Sequence, residues 1–198
     1  WLASLLACTP LSAHAEVTID SPLAGVATLE PRLEVTFDGG ARSVAGCNAS
    51  GAGAALWFHS DGPPRCIAMA FLAMPAVRNA QLAEAMAAHL AMRLLQDAPV
   101  LQAGLGRVAR VTGDNLQVIP YAAGVSRFAR PYLQAPLDAG LQALALLGFQ
   151  VQWQAVRRRL SSAADAVATA ALQWAACCWA SPSPRPPGLE PPRWPLAT

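Results

Sequence analysis

Residues 75–97 limit the possible folds of this chain most strongly, because an amphipathic helical pattern stands there between β-like segments. At 100° per residue, polar side chains that include His89 and Arg93 fall on one face. Apolar side chains lie away from that face, at Val77, Leu82, Met86, Leu90 and Leu94. Pro75 suits a first helical turn, where no backbone N–H is needed. The pattern predicts a helix with one buried side and a solvent-facing His89.

Segments of alternating apolar and polar residues surround this helix, which is typical of half-buried strands. Asp38-Gly39-Gly40 predicts a hairpin turn after the first of them, because glycine adopts the positive φ of tight turns. The predicted strands are residues 33–37, 43–47, 54–58, 108–112 and 116–119, the last two joined at Gly113-Asp114-Asn115. We therefore expect an α+β fold, with a curved antiparallel β-sheet packed on one amphipathic helix.

The sequence changes character near Arg130, and this predicts the domain organisation. Residues 137–149 have a helical pattern, residues 149–153 alternate like a strand, and Ser161-Ser162 suits the cap of a helix through residue 180. The expected division is a signal peptide at 1–15, a domain at 16–130, an α-rich extension of uncertain order at 131–180 and a Pro-rich disordered tail at 181–198.

The charge of the chain gives little reason to expect a nucleic-acid partner. The formal net charge is only +2, and all 14 basic residues are arginine. The one basic cluster, Arg157-Arg158-Arg159, suits a solvated helix face better than a phosphate-binding patch. We therefore expect no nucleic acid among the partners.

The first fifteen residues resemble the later part of an export signal. A short apolar run at residues 2–8 precedes Ala13-His14-Ala15, an A-x-A site for cleavage. A second interpretation is a lipobox that ends at Cys8, whose lipidated side chain would contact the membrane. We expect an exported protein, either periplasmic or an outer-membrane lipoprotein, and the two processing sites remain alternatives.

The side chains that most often carry chemistry do not form a recognisable site in the sequence. No C-x-x-C or Cys/His spacing suits zinc, so we expect no metal and no cofactor. Asp38, Asp61 and Asp114 each stand beside glycine, where turn formation accounts for them. A nucleophilic Cys47 would need a base within reach, and no motif provides one. We therefore predict no catalytic residues.

Three elements in a fixed order resemble the META domain (HslJ-like) family. Gly46-Cys47-Asn48 follows a strand and a turn, the segment 68–75 leads into the helix, and the pair Gly113-Asp114 opens a later hairpin beyond the helix. The resemblance covers about residues 17–130. The family's second cysteine would fall near Met74, whereas this chain has Cys66, and a Cys47–Cys66 disulfide is a candidate in the periplasm. A shifted reading frame, an unrelated C-terminal region or true divergence would each explain why residues after Arg130 match nothing in the family.

The resemblance implies a non-enzymatic envelope module for stress response or binding, whose partner is an unknown envelope protein or a small ligand. Two alternatives from other classes stay open. One is a thiol-dependent enzyme or redox protein that uses Cys47. The other is a protein that associates with the membrane through its C-terminal region.

Overall fold

The computed structural model describes residues 17–18, 33–44, 46–97, 106–128, 130–156 and 162–180. The predicted export signal with its processing sites at Cys8 and Ala15, the Arg157-Arg158-Arg159 cluster and the Pro-rich tail all lie outside these residues. The strands are β1 (Val17–Thr18), β2 (Leu33–Val44), β3 (Cys47–Phe58), β4 (Arg65–Pro75), β5 (Val108–Gly113) and β6 (Gln150–Ala155). The helices are α1 (Ala80–Gln96), α2 (Val118–Ala122), α3 (Pro131–Leu146) and α4 (Ser162–Ala180).

The six strands form one mixed sheet in the order β1-β6-β5-β2-β3-β4. β2, β3 and β4 are antiparallel neighbours, whereas β5 pairs parallel to β2 and β6 pairs parallel to β5. The α+β class is therefore confirmed. The finer prediction of an antiparallel sheet on one helix is not confirmed, because α1 carries the chain back across the sheet and so brings β5 in parallel to β2.

The first hairpin is longer than the sequence pattern predicted. β2 runs without a break through Asp38, Gly39 and Gly40, and the chain turns only near Gly46, whose φ is +80°. Register is regular from Leu33 opposite Phe58 to Val44 opposite Cys47. The predicted turn at Asp38-Gly39-Gly40 is therefore wrong. Gly39 allows α1 to pack closely on the strand and does not change the chain direction.

Helix α1 begins at Ala80, five residues later than predicted, because Pro75 is the last residue of β4. The side chain of Asn79 caps it by accepting a hydrogen bond from the Leu82 N–H at 3.0 Å. Its buried face consists largely of alanines, which let the helix approach the sheet closely. His89 is half-buried rather than solvent-facing as predicted: its Nδ1 lies 2.7 Å from the Pro136 carbonyl oxygen and links α1 to α3.

The segment after Arg130 belongs to the same sheet and core as the segment before it. β6 pairs with β5 from Val108 opposite Gln150 to Gly113 opposite Ala155. Helix α4 packs on the opposite face of the sheet from α1, directly over two glycines of β3. A Cβ on Gly51 would lie 2.3 Å from the Ala168 carbonyl oxygen, so only glycine permits this contact. The predicted boundary at residue 130 thus falls inside one sheet.

Strand register argues against the predicted Cys47–Cys66 disulfide. Cys47 begins β3, whereas Cys66 lies opposite Trp57 near the other end of that strand. Ten residues of strand span about 33 Å. A disulfide joins Cα atoms less than about 7 Å apart, so these two cysteines cannot be bridged in this fold.

Among the described residues, no helix is both long enough and apolar enough to cross a membrane. Helix α4 carries Asp165 in its first turn and packs on the sheet through Ala164, Ala168 and Leu172. The C-terminal region therefore contributes to the core of the domain, and the alternative of membrane association through it has no support.

Candidate active site

Two aspartates lie at matching positions on neighbouring parallel strands. The last paired residues of β2 and β5 are Thr36 and Thr112, and Asp38 and Asp114 each follow two residues later. Side chains alternate along a strand, so Asp38 projects from the same face as Thr36. Loops and side chains just beyond the carboxyl ends of parallel strands form the binding crevice of many mixed sheets. The topology therefore brings these two carboxylates together although 76 positions separate them in sequence.

A third carboxylate, that of Glu84, comes from the first turns of α1. Its approach depends on Gly39, the residue after Asp38. A Cβ on Gly39 would lie 2.3 Å from the backbone carbon of Ala83 and 2.4 Å from the backbone nitrogen of Glu84. Real Cβ atoms do not come so close to backbone atoms, so the helix can sit here only against glycine. The glycine therefore sets the position of Glu84 relative to Asp38.

Asp38, Glu84 and Asp114 form one compact acidic cluster. Each offers a carboxylate oxygen, and these oxygens all lie within 4.8 Å of one another. Asp38 is 3% exposed and Glu84 is 5% exposed, while Asp114 is half-buried. The Gly39 N–H donates to Asp38 Oδ1 at 2.9 Å and fixes the orientation of that carboxylate.

Such a cluster suits a hard divalent cation. Two negative charges about 5 Å apart repel each other by about 3 kcal/mol at an effective dielectric constant of 20. A cation among the three carboxylates would reverse the sign of this electrostatic energy. Carboxylate oxygens are the ligands that Mg²⁺ and Mn²⁺ prefer. This arrangement counts against the expectation of no metal.

A fourth carboxylate, that of Asp165, stands on the same side of the sheet as Asp38. Asp38 lies opposite Gly53 in the β2–β3 pair. Gly53 packs under α4, where a Cβ would lie 2.5 Å from the backbone nitrogen of Ala168 and 2.9 Å from the carbonyl oxygen of Ala164. Asp165 is exposed in the first turn of that helix. It therefore projects into solvent beside the strand that carries Asp38.

Buried polar groups continue along the strands behind the cluster. Trp57 Nε1 donates to Thr36 Oγ1 at 3.4 Å, and His59 Nε2 lies 3.0 Å from Glu34 Oε2. Thr112 is 2% exposed, and its hydroxyl has no hydrogen-bond partner among the described residues. The aspartates thus extend from a buried polar row rather than from an isolated surface patch.

A polar surface surrounds the start of α1, one to two turns from Glu84. Arg130 donates from one guanidinium nitrogen to Tyr132 Oη and to Gln81 Oε1, each at 3.3 Å. Asn79 Nδ2 also donates to Tyr132 Oη, at 3.2 Å. The pKa of Tyr132 lies below its ordinary value, first because of the hydrogen bond from Arg130 and then because of that from Asn79. This surface therefore carries a guanidinium, two amide groups and a phenol that are joined by hydrogen bonds.

Most residues of the predicted family motif lie away from the cluster. Gly46, Cys47 and Asn48 form the far end of the β2–β3 hairpin, five or more residues along β2 from Asp38. Gly113 packs against the Phe37 ring, where an added Cβ would fall 2.5 Å from an aromatic carbon. Only Asp114 of that motif joins the acidic cluster. The Cys47 side chain lies outside the described residues, and the hairpin position of its backbone gives the thiol-enzyme alternative no support.

The sequence pattern does not reveal Asp38 and Glu84 as functional residues. Two glycines follow Asp38 and favour a turn there, and Glu84 stands in an alanine-rich helical segment. The available signal was a carboxylate within two residues after each of two predicted strands, 33–37 and 108–112, and another on the intervening helix. Asp38 and Glu84 are 46 positions apart in sequence, and Glu84 and Asp114 are 30 apart. Their proximity therefore becomes visible only when the order of the strands is known.

Comparisons with known proteins identify the fold. No protein-family model matches the chain, and no curated protein matches it either. Among solved structures, the N-terminal RNase H domain of a Mycobacterium tuberculosis protein matches with a TM-score of 0.57 and 21% identity, over 75% of this chain and 99% of that one. RNase H1 of the archaeon Halobacterium salinarum matches with a TM-score of 0.54 and 23% identity, over 72% and 98%.

A third match is LC11-RNase H1, a protein isolated from compost, in a crystal structure with an RNA/DNA hybrid. Its TM-score is 0.58 and its identity 17%, over 72% of this chain and 98% of that chain. At these identities the likeness establishes the fold, which is RNase H-like.

The fold overturns several predictions made from the sequence. The resemblance to the META domain family is wrong. The chain, with its parallel strands β5 and β6 and with α4 packed on the sheet, matches RNase H domains over nearly their whole length. The predictions of a lipoprotein, of an envelope stress or binding module and of a chain without enzymatic activity are overturned by the same likeness and by the acidic cluster. The exclusion of nucleic acid is overturned by the match to an RNase H1 that holds an RNA/DNA hybrid.

Proposed function

We propose that this chain is a divalent-metal-dependent nuclease that hydrolyses the RNA strand of RNA/DNA hybrids. One observation carries the proposal: three carboxylates from β2, α1 and the end of β5 converge within 4.8 Å on an RNase H-like sheet. RNase H proteins of the same fold, one of them in complex with a hybrid, support the choice of substrate.

Asp38, Glu84 and Asp114 would hold the metal. When bound, the metal would supply an activated water and would neutralise charge at the scissile phosphate. The burial of Asp38 and Glu84 strengthens their electrostatic interaction with a bound cation, since water screens it less. The hydrogen bond from the Gly39 N–H keeps the Asp38 carboxylate oriented toward its neighbours. Asp165 would add negative charge at the solvent side of the site, where metal and substrate enter.

The surface at the start of α1 would contact the nucleic acid. Arg130, Gln81 and Asn79 carry side-chain donors there. Asn79 and Gln81 lie within about 10 Å of Glu84 along the helix axis. Side-chain donors of this kind position a nucleic acid through its phosphates and sugars without reading its sequence. The low net charge of +2 predicts modest affinity that falls with added salt.

The test is cleavage of end-labelled duplexes of one sequence in Mg²⁺. We expect the RNA strand of an RNA/DNA hybrid to be cut, the DNA strand to stay intact, and DNA/DNA and RNA/RNA duplexes to be resistant. Equal cleavage of all three duplexes would replace the hybrid with a broader substrate class. An inactive chain that nevertheless binds Mg²⁺ would contradict the proposal of a nuclease.

Export of the chain stays a proposal from the sequence of residues 1–15 and is independent of the nuclease site. Mass spectrometry of the mature N-terminus in the native host tests it. A mature chain that begins at Glu16 would support export, and a chain that retains residues 1–15 would contradict it.

A further inference from the structure

The edge strand β4 is built to accept another strand. It lies at one end of the sheet, so its outer edge has no strand partner among the described residues. From Ala68 to Pro75 it pairs with β3 in regular register, and a bulge falls at Ile67, because Leu56 and Trp57 of β3 pair with Ala68 and Cys66. The edge is therefore straight enough over this stretch to template a further strand.

The protections that usually prevent edge pairing are missing from the regular part of this strand. Between Ala68 and Met74, β4 carries no charged residue, no proline and no bulge. Natural sheets normally place charges, prolines or bulges along such an edge. Two large apolar side chains of β4 are exposed: Phe71 at 61% and, at the bulge, Ile67 at 43%. An unprotected, apolar edge indicates a strand that is covered in the working protein.

We propose that β4 is the interface of a homodimer, in which the β4 strands of two copies pair antiparallel across a two-fold axis. Charge selects this arrangement. Arg65 is the only charged residue of β4. An axis near Ala70 would place the two Arg65 side chains at opposite ends of the interface, about 33 Å apart. Parallel pairing would set them side by side, where like charges destabilise a sheet.

The same axis accounts for the exposed aromatic side chain. It sets Phe71 of each copy opposite Met69 of the other, and such apolar cross-strand pairs stabilise a sheet. A two-fold contact also closes on itself, because each copy uses its single β4 edge. Because each copy offers one β4 edge to this contact, pairing at β4 gives two copies.

The chain's own C-terminal segment is a poorer occupant of this edge. Residues 181–198 follow helix α4 in sequence and are numerous enough to span a strand of the length of β4. Proline cannot donate to a strand ladder. The segment carries proline at seven of its 18 positions: Pro182, Pro184, Pro186, Pro187, Pro191, Pro192 and Pro195. A second β4 has no such restriction between Cys66 and Met74.

Sedimentation of the full chain over about a hundredfold range of concentration tests the dimer. The wild-type mass should rise from 20.7 kDa to twice that value and stop there. Phe71→Lys should raise the dissociation constant at least about tenfold, because it places two charges beside the axis. The matched control is Leu146→Lys, which charges an apolar residue that is 81% exposed at the end of α3; it should dimerise like the wild type.

A wild-type chain that stays monomeric at every concentration, or that grows beyond two copies, would overturn the proposal. Equal weakening by Phe71→Lys and Leu146→Lys would overturn it as well. If Phe71→Lys does not fold by circular dichroism, Ile67→Lys on the same strand replaces it with the same expected result. A dimer that survives the charge on a folded β4 variant would also count against the proposal.

Discussion

Gly39 lies against the backbone of Glu84 so closely that a Cβ at position 39 would fall 2.4 Å from the Glu84 nitrogen. This contact joins the strand that carries Asp38 to the helix that carries Glu84. It explains why a glycine occupies the middle of a twelve-residue strand, where glycine is otherwise unfavourable. The geometry of the acidic cluster therefore depends on the absence of a Cβ atom at residue 39.

Gly39→Ala should displace α1 and disturb the cluster. Overpacking of this kind costs about 1 to 3 kcal/mol in the free energy of unfolding, which urea denaturation measures. Hydrolysis of the hybrid should fall even under conditions where the variant is folded. Gly40→Ala is the matched control, because a Cβ there would meet nothing nearer than Leu172 Cδ1 at 3.9 Å. Equal effects of the two substitutions would show that Gly39 has no special role.

Magnesium should stabilise the folded chain through the three carboxylates. At ten times its dissociation constant, a ligand that binds only the folded state adds about 1.4 kcal/mol, visible as a rise in Tm. Asp38→Asn should lose most of this gain. In metal-free buffer the same substitution should raise Tm, because it relieves repulsion among close negative charges. Asp61→Asn, in an exposed turn, should behave as the wild type, and a Mg²⁺ response retained by Asp38→Asn would contradict the assignment.

The two tyrosines of the chain should ionise at separate pH values. Burial raises the pKa of Tyr121 to about 12, and the hydrogen bond that its hydroxyl donates to Asp138 adds to the shift. The pKa of Tyr132 is instead lowered from its ordinary value of 10.0, chiefly by the hydrogen bond from Arg130. Absorbance of the phenolate against pH should therefore show two steps. Tyr121→Phe should remove the upper step and Tyr132→Phe the lower one.

The sign of the Tyr121 shift also predicts the stability of the chain in alkali. The neutral phenol is favoured in the folded state, so its stabilising effect is complete below pH 10 and is lost as the pH rises through about 12. Tyr121→Phe should flatten this part of the stability curve. A single phenolate step at the ordinary pKa would contradict both expectations.

Thr112→Val should stabilise the fold. The Thr112 hydroxyl is buried, and it has no partner within the described part of the chain. Leaving such a group without a hydrogen bond costs about 1 to 3 kcal/mol, and valine has nearly the same shape without the hydroxyl. Urea denaturation should show an increase in the free energy of unfolding of about 1 kcal/mol. A loss of stability would indicate that the hydroxyl is hydrogen-bonded.

The sequence revealed the elements of this fold better than their arrangement. Periodicity located α1 and β5 to within about five residues. It gave conflicting indications at 149–153, where β6 lies, and its predicted strand at 116–119 is wrong, because α2 begins there. It misassigned Asp38-Gly39-Gly40, because a glycine needed for contact with α1 looks the same in sequence as one needed for a turn. Whether β5 pairs parallel or antiparallel depends on the path through α1, which local pattern does not report. The acidic cluster followed from that choice and was therefore missed.

Hydrolysis of an RNA/DNA hybrid by four single variants tests the central claim most directly. Asp38→Asn, Glu84→Gln and Asp114→Asn should each lower kcat/KM at least about 100-fold in Mg²⁺, since each removes a ligand charge worth several kcal/mol in the transition state. Asp61→Asn, which removes a carboxylate outside the cluster, should leave kcat/KM unchanged. Folded variants at two or more of the three cluster positions that retain wild-type kcat/KM would contradict the assignment of the active site.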